Sequence, residues 1–428
     1  MQLDWDPEVD TPATIAIIGG GPLGVEAALY ARFLGYFVML FDQRKVGDSL
    51  TGWNQAAFQN ATDDLLMQSS TAGVDASLPC WRDCTTPLGL AALEAQSGSA
   101  ALPPVAGPVN YRDYVDKYLL PVARTDLLYD SIQVHARVVS VSRVGCTLQD
   151  SCSLERRSEQ EFRLLIDSKN RGEFTQLADI VLDCSGMFSS RRGLASGGSA
   201  AIGEGLSSNQ MFFGKCDVRG TRRERFAGKH CLLFGSNLEA CANALELLEL
   251  AQTAPTTKLT WVIPKRLGTK GFQLATNLSF DSAIPPVVQA LIDRAKHAID
   301  NELDHLVPLA AWGIEAISYD DLNWTIKLQT TEDETLEVAA GVFINCAEPS
   351  TQRRYLAELR VAAGLDTQAS SLDTLTAEPH YYQLGQRVVG PRRMCTLQAG
   401  FEQIRRTFAA IGGRQELDLY ATVKPREG

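Results

Sequence analysis

No two of the ten cysteines are spaced C-x-x-C, and the five histidines are scattered without ligand spacing. Those gaps exclude the common zinc frameworks and the thioredoxin-like dithiol motif. Cys80 and Cys84, in Cys-Trp-Arg-Asp-Cys, are the closest pair, but no second pair of ligand spacing completes a site, so no metal is expected. Long hydrophobic runs are missing too: none approaches the roughly eighteen residues of a membrane span. The acidic start, MQLDWDPEVDTP, has neither the basic nor the apolar part of a secretory signal. Runs of lysine or arginine are absent and the net charge is −11, which argues against nucleic acid and anionic membrane as partners. A cytoplasmic location is the expectation.

What is present is a soluble globular composition, 45% hydrophobic and 21% charged, in 428 residues, more than one core usually supports. Two or three domains are expected. Thr14 to Asp42 announces the first. An apolar run, Ile15 to Ile18, stops at Gly19, Gly20 and Gly21; a small-residue helical pattern runs from Leu23 to Leu34; a second apolar run ends on Asp42. Set between a strand and a helix, and followed by a strand with a closing acid, G-x-G-x-x-G is a dinucleotide signature. Gly19 allows the tight turn, Gly21 lets the backbone approach a pyrophosphate, and Gly24 lets the helix pack on the strand. The helix start, at Pro22 and Leu23, offers free N–H groups and a positive dipole end to phosphates. Asp42, with Gln43 beside it, is placed to accept hydrogen bonds from a ribose diol.

The pattern returns later. Lys229 to Gly235 reads as a strand ending at glycine, Cys241 to Leu250 as a helix, and Lys258 to Ile263 as a second strand. In the turn Gly235-Ser236-Asn237, the asparagine stands where the second glycine belongs, and Ala240 stands at the third position. Alanine is an accepted variant there; the asparagine side chain takes up space a pyrophosphate would need. The second strand ends not on an acid but on Lys265-Arg266, which suits a ribose 2′-phosphate and hence NADP rather than NAD. A degenerate unit kept for packing is the alternative reading.

Between and beyond these units, Gln96 to Pro108 reads as a surface loop. Asn110 to Val122 is helical, with Tyr111, Tyr114, Val115, Tyr118 and Leu119 on a core face. Ile132 to Val141 alternates as one strand, with further strands at Glu161 to Ile166 and Ala178 to Asp183, and the charged stretch Ser151 to Gln160 reads as a solvated hairpin tip. Ala316 to Leu336 gives two short strands, and Val338 to Ala347, like Ala178 to Gly186, is a buried strand ending in small residues. Tyr382 to Gly385 is a last strand before a helical pattern from Gln398 to Ile411.

Two dinucleotide units, each closed by a strand ending in small residues, resemble the two-dinucleotide-domain flavoproteins: thioredoxin reductases, glutathione-reductase-like enzymes and flavin-containing monooxygenases. The resemblance spans nearly the whole chain. It implies an α/β fold of two interleaved Rossmann-like dinucleotide-binding domains with β-meander insertions: an FAD-binding domain over 1–206 and 345–428, and an NAD(P)H-binding domain over 207–344. It also implies that Gly19, Gly21, Gly24 and Asp42 hold the ADP half of FAD, and that Val138 offers backbone groups to the adenine. Cys184-Ser185-Gly186 takes the place of the family's Ala-Thr-Gly turn. Gly385 matches the glycine of its Gly-Asp pair, with Gln386 replacing the aspartate. The helix from about Gln398 would point its N-terminus at the flavin pyrimidine. Trp53, just past the second strand, either lines the isoalloxazine or belongs to a core. Gly235, Ser236, Asn237, Lys265 and Arg266 would hold NADPH. Within the superfamily the chain is most similar to a bacterial group of monooxygenase-like or thioredoxin-reductase-like oxidoreductases, on VGDSLTGW, ADIVLDCSGMF, SAAIGEG and AGFEQIRRTFA.

Disulfide reduction of the standard kinds needs a dithiol touching the flavin. Neither family placement is filled: no cysteine stands between Met1 and Leu78, and Cys80 and Cys84 come too late. Oxygenation needs only a pocket that shields a flavin hydroperoxide from water. The Baeyer–Villiger fingerprint F-x-G-x-x-x-H-x-x-x-W is missing after Phe212. The expectation is an FAD-dependent, NADPH-oxidising, monooxygenase-like enzyme acting on a small molecule. Its rivals are a flavin-binding protein or flavin-only oxidase whose second site has lost its nucleotide, and an atypical disulfide reductase. No acid–base residue is singled out; His380 is the first histidine to test.

Overall fold

The computed structural model describes residues 12–48, 80–104, 106–107, 109, 111–186, 191–220, 222–268, 270–274, 286–301, 303–331, 334–348, 350, 354–361, 374–389 and 396–423. In chain order the elements are β1 (Thr14–Ile18), α1 (Pro22–Phe33), β2 (Phe37–Phe41), α2 (Pro87–Ser97), a helical stretch over 111–123, β3 (Ile132–Gln133), β4 (Ala136–Arg143), β5 (Phe162–Ser168), β6 (Gly172–Ala178) and β7 (Ile180–Asp183). There follow β8 (Phe212–Phe213), β9 (His230–Phe234), α3 (Leu238–Thr253), β10 (Lys258–Pro264), α4 (Pro286–Asp300), β11 (Leu306–Ala311), β12 (Gly313–Tyr319), β13 (Trp324–Gln329), β14 (Thr335–Ala340) and β15 (Val342–Asn345). After the second unit come β16 (Tyr381–Gln383), α5 (Leu397–Ile411) and a short helix, Leu419–Thr422. Among the described residues no helix is long and apolar enough to cross a membrane.

Two units result. The first takes the described residues up to 48, those of 80–186 and those from 354 on; the second takes 191–350. The glycine- and serine-rich segment 191–206 lies with the second unit rather than the first, because Ile314 N–H donates to the Leu194 carbonyl and Ile317 N–H to that of Ile202.

Each unit is built the same way. The first has a parallel sheet in the order β16-β7-β1-β2-β3, the second one in the order β11-β10-β9-β15-β8, and each adds an antiparallel three-stranded meander, β4-β5-β6 or β12-β13-β14. Side chains alternate across the pleat, so each sheet feeds two cores. In the first unit Ile15, Ile17, Val38, Leu40, Ile180 and Leu182 pack with α1, α2 and the 111–123 helix. Their neighbours Ala16, Ile18, Met39, Phe41 and Val181 pack with the meander residues Val141, Phe162, Leu164 and Ile166. In the second, Cys231, Leu233, Trp261 and Ile344 face α3 and α4, while Leu232, Phe234, Val262 and Phe343 face the meander. Runs buried on both faces explain why these strands read as continuously apolar.

Three expectations change. Ile132 to Val141 is not one strand: His135, at φ 54°, turns the chain between β3 and β4. Its N–H bonds the Arg44 carbonyl and its carbonyl accepts from Lys169, so the first piece joins the parallel sheet and the second opens the meander. Val338 to Ala347 likewise divides at Gly341 into β14 and β15. Ser151 to Gln160 is not a solvated tip. It contains a short helix, Leu154–Ser158, and its Arg157 is fully buried. The tyrosine face of the 111–123 helix is core, as its spacing suggests: Tyr114, Val115, Tyr118 and Leu119 are all buried.

Candidate functional site

The turn from β1 into α1 is shaped by three glycines in three different ways. Gly19 sits at φ 105°, and a Cβ there would lie 2.8 Å from the Cys184 carbonyl oxygen and from the Ser185 Cα. A Cβ on Gly24 would collide with the Gly19 carbonyl oxygen. At Gly21 a Cβ would meet no atom of the described residues within 4 Å. Gly21 is also the N-cap of α1, where no side chain caps the helix and no acid stands in the first turn. Free amides and a positive dipole end therefore face open space, a cradle for phosphate oxygens. Pro22 occupies the first helical position, where it forfeits no hydrogen bond. Leu23 packs where side chains at Gly385 and Gly400 would be, locking the C-terminal segment against the loop.

Asp42 closes β2 as expected. One carboxylate oxygen accepts the Gly20 N–H at 2.6 Å and the other the Arg44 N–H at 2.7 Å. The acid is thereby fixed beside the glycine turn, partly exposed, with acceptor capacity left for a diol. Gln43 is exposed next to it. β4 starts alongside, with Ala136 N–H on the Asp42 carbonyl at 2.8 Å. Val138 lies one turn of the pleat further, paired with Ile166 and with its side chain in the core beneath the sheet.

The end of β7 holds a group that sequence reasoning passed over. Asp183, fully buried, accepts from the Ser185 N–H and hydroxyl through one oxygen, at 3.0 and 2.6 Å. Through the other it accepts from the Tyr355 and Tyr381 hydroxyls, both at 2.9 Å, and pairs with Arg387 Nε at 3.2 Å. Burial alone would raise this carboxyl; Arg387, Ser185 and Tyr381 together hold it below the ordinary carboxylate range. Arg387 also donates from Nε to the Ser185 hydroxyl at 3.1 Å, yet its buried Nη2 has no partner among the described residues. A buried guanidinium N–H without an acceptor is costly. It sits one residue away from the Gly19 turn, because Ser185 packs directly on Gly19. A dinucleotide phosphate would supply the missing acceptor. The available signal was an acid closing an apolar strand, LDCSG, together with an arginine just past Gly385. Gly385, at φ 72°, is fixed by its N–H to Gln403 Oε1 at 2.6 Å, and Gln386 opens the short helix Gln386–Val389. Gly186 is also left-handed, at φ 62°, while Cys184 is half-buried, with its thiol pushed well above the ordinary range by desolvation. α5 begins at Thr396, whose hydroxyl accepts from Ala399 N–H.

The second turn is tight but differently finished. Gly235, at φ 138°, leaves no room for a Cβ against the Cys346 carbonyl. Ser236 is buried. Asn237 uses its own side chain on the protein: Oδ1 accepts from Ala240 N–H and Nδ2 donates to the Cys346 carbonyl, both at 3.0 Å. It is the N-cap of α3, so one of the amides that a phosphate would take is already satisfied. Glu239, in the first turn, is buried and paired with Arg191 at 2.8 Å. Lys265 donates to the Thr330 carbonyl at 2.5 Å, and Arg266 pairs with Glu348 at 2.6 Å. The first loop fits a dinucleotide as it stands; the second fits one only by sharing these groups.

Trp53 lies outside the described residues. Cys80 donates to Asp83 at 3.0 Å, and burial pushes the Cys84 thiol up to about 12. Among the described residues no group of His, Cys, Asp and Glu could hold a metal.

No protein-family model matches the sequence, and no curated protein does. Solved structures match over nearly the whole chain. Bacillithiol disulfide reductase from Bacillus cereus is similar with a TM-score of 0.56 at 13% identity, covering 93% of this chain and 99% of that one. A cadaverine monooxygenase of desferrioxamine biosynthesis from Erwinia amylovora, solved bound to FAD, gives 0.52 at 12%, covering 97% and 98%. The chain shares the fold of these two proteins. L-lysine 6-monooxygenase from Pseudomonas syringae gives 0.50 at 14%, covering 94% of this chain and 99% of its own. At these identities the likeness is one of fold, and the chemistry has to be argued from the residues.

Proposed function

We propose that the protein is an FAD-dependent oxidoreductase that draws electrons from NADPH and oxygenates a small molecule without a protein dithiol. The observation that carries the flavin half is the uncapped start of α1 at Gly21, with Asp42 fixed beside the glycine turn and Arg387 Nη2, near Ser185, without an acceptor among the described residues. In this reading the Gly19–Gly24 loop and Arg387 hold the pyrophosphate, Asp42 the ribose, and the turns at Ser185-Gly186 and Gly385 bring backbone close to the rest of the cofactor. Bound there, FAD supplies the two-electron chemistry. What supports oxygenation is the cysteine spacing: no pair in the sequence has the C-x-x-C spacing of a flavin-facing dithiol, and burial holds the Cys184 thiol, at the β7 turn, well above the ordinary range. The small-molecule substrate and a cytoplasmic setting belong to the same proposal.

A second reading has its own support. Asn237, Glu239 with Arg191, Lys265 and Arg266 are all engaged by the protein itself. That favours a flavin-only oxidase or flavin-binding protein whose second loop has closed. One experiment separates the two. Purified protein carrying flavin is mixed with NADPH, then with NADH, without air; bleaching of the flavin band within seconds supports hydride transfer, and a yellow protein that ignores both nucleotides leaves the second reading. If NADPH is the donor, Lys265→Ala with Arg266→Ala should weaken NADPH tenfold or more and NADH little; equal weakening would remove the 2′-phosphate role.

A further inference from the structure

One pair of thiols stands apart from the flavin chemistry. Cys146 and Cys152 face each other with their sulfurs 3.1 Å apart, closer than ordinary sulfur contact, at the ends of a short loop between β4 and the helix Leu154–Ser158. Both are free thiols. Contacts from outside the loop hold it in shape. Arg157 Nη1 donates to the Thr147 carbonyl at 3.1 Å, Leu148 N–H to Glu358 at 3.1 Å, and Arg360 Nη2 to the Cys152 carbonyl at 3.0 Å. Gly145, at φ 70°, makes the turn that brings Cys146 back beside Arg143. The sulfurs therefore meet because the backbone is fixed around them.

We propose that Cys146 and Cys152 form a reversible oxidation site, in which hydrogen peroxide converts the two thiols into an intramolecular disulfide. Cys152 is half-buried and meets the oxidant; Cys146 is 5% exposed and resolves the product. The Cys152 thiolate attacks the peroxide O–O bond, forming a sulfenic acid and releasing hydroxide. The Cys146 sulfur then attacks that sulfur: the S–S bond forms, the S–O bond breaks, and the leaving hydroxide takes the Cys146 proton as water. Two thiols and one peroxide give one disulfide and two waters. The sulfurs must close by only about 1 Å to reach a bonded ~2.05 Å. Contact with Cys152 and then burial hold the Cys146 thiol above the ordinary range, so it keeps its proton until the second step. Four of the competing thiols are poor targets, because burial pushes Cys84, Cys216, Cys231 and Cys241 up to about 12.

Both cysteines fall in one tryptic peptide, Val144 to Arg156, which makes the test direct. The native full chain is treated with hydrogen peroxide, quenched with iodoacetamide, digested and weighed. The expected peptide is lighter by two hydrogens than its reduced form, carries no alkyl group, and returns to two alkylated cysteines after dithiothreitol. Bridging should run at least tenfold faster in the native protein than in urea. Cys152→Ser should leave Cys146 unbridged. Two alkylated cysteines after excess peroxide, sulfinic acids with no bridge, a link to any other cysteine, or equal rates with and without urea would each overturn the proposal.

Discussion

At Gly21 a methyl group would meet no atom of the described residues within 4 Å, whereas at Gly24 it would strike the Gly19 carbonyl. Gly21→Ala should therefore fold with an unchanged urea midpoint and bind FAD at least tenfold more weakly, since only the cofactor contests that space. Gly24→Ala should destabilise the first unit by about 1–3 kcal/mol, because the helix must move off the strand. The sequence marks both positions alike; the open side of one and the closed side of the other come only from the fold. Arg387 tests the same proposed phosphate site from its place beside Ser185. Arg387→Met should weaken FAD and ADP strongly and riboflavin, which has no phosphate, little. A uniform loss across the three would mean the arginine acts only by holding Asp183. Glu26, buried in α1, has its carboxyl raised to about 7 by burial, offset in part by Thr86 and Tyr420. A raised folded pKa means this group's contribution is intact below pH 4.5 and lost as pH climbs through 7. Glu26→Gln should leave stability at pH 4.5 nearly unchanged and raise it at pH 8 by on the order of 3 kcal/mol, read from urea melts at the two pH values.

Among the elements, the β4-β5-β6 meander shows where polarity misleads. Arg143 and Arg157 both clamp Glu378, and all three side chains are fully buried. Arg143 reaches on to the Gln160 and Pro379 carbonyls, and Arg157 to that of Glu358. Three distant stretches of chain are tied there by one carboxylate. Glu378→Ala should cost about 3–5 kcal/mol, since it strands two buried cations, and should do so with or without cofactor; a loss seen only in the FAD-free protein would refute the structural role. Ser151 to Gln160 reads as solvent-facing because charge in sequence looks like surface, and a pairing that spans over two hundred residues leaves no local trace. The central strands of the two parallel sheets, β1, β2, β7, β9 and β10, by contrast, were legible, because burial on two faces forces continuous apolar runs, while the edge strands β8 and β11 were not. Asn237 was legible as a misfit, while its use as a cap on α3 was not.

For the molecule as a whole, two groups of carboxylates pull in opposite directions. Glu26 and Glu246, the latter against Lys215, are raised to about 7 by burial. Asp183 and Glu378 are held low despite burial, by Arg387 and by Arg157 with Arg143. Their contributions are present above about pH 4 and lost as pH falls through the depressed values, whereas those of the first pair are lost on the way up to 7. The cofactor-free protein should be most stable near pH 5, with denaturation midpoints falling on both sides; a maximum at pH 8 would contradict the burial of the first pair. The twofold build of strand, helix, strand, meander and returning strand was readable from the repeated glycine turns. The place where one unit hands over to the other was not, since 191–206 is too polar to declare which core it serves.

The interleaving also sets an order of events in time. β7 can pair with β1 early, but its outer edge waits for β16, which arrives only after the whole second unit has been made. Until then Asp183 lacks Tyr355, Tyr381 and Arg387, and the Val181 amide lacks the His380 carbonyl. A growing chain can thus finish its second unit while the first still shows a bare strand edge and an uncompensated buried acid. The glycine loop is made before the second unit, and the site it belongs to is completed only after it.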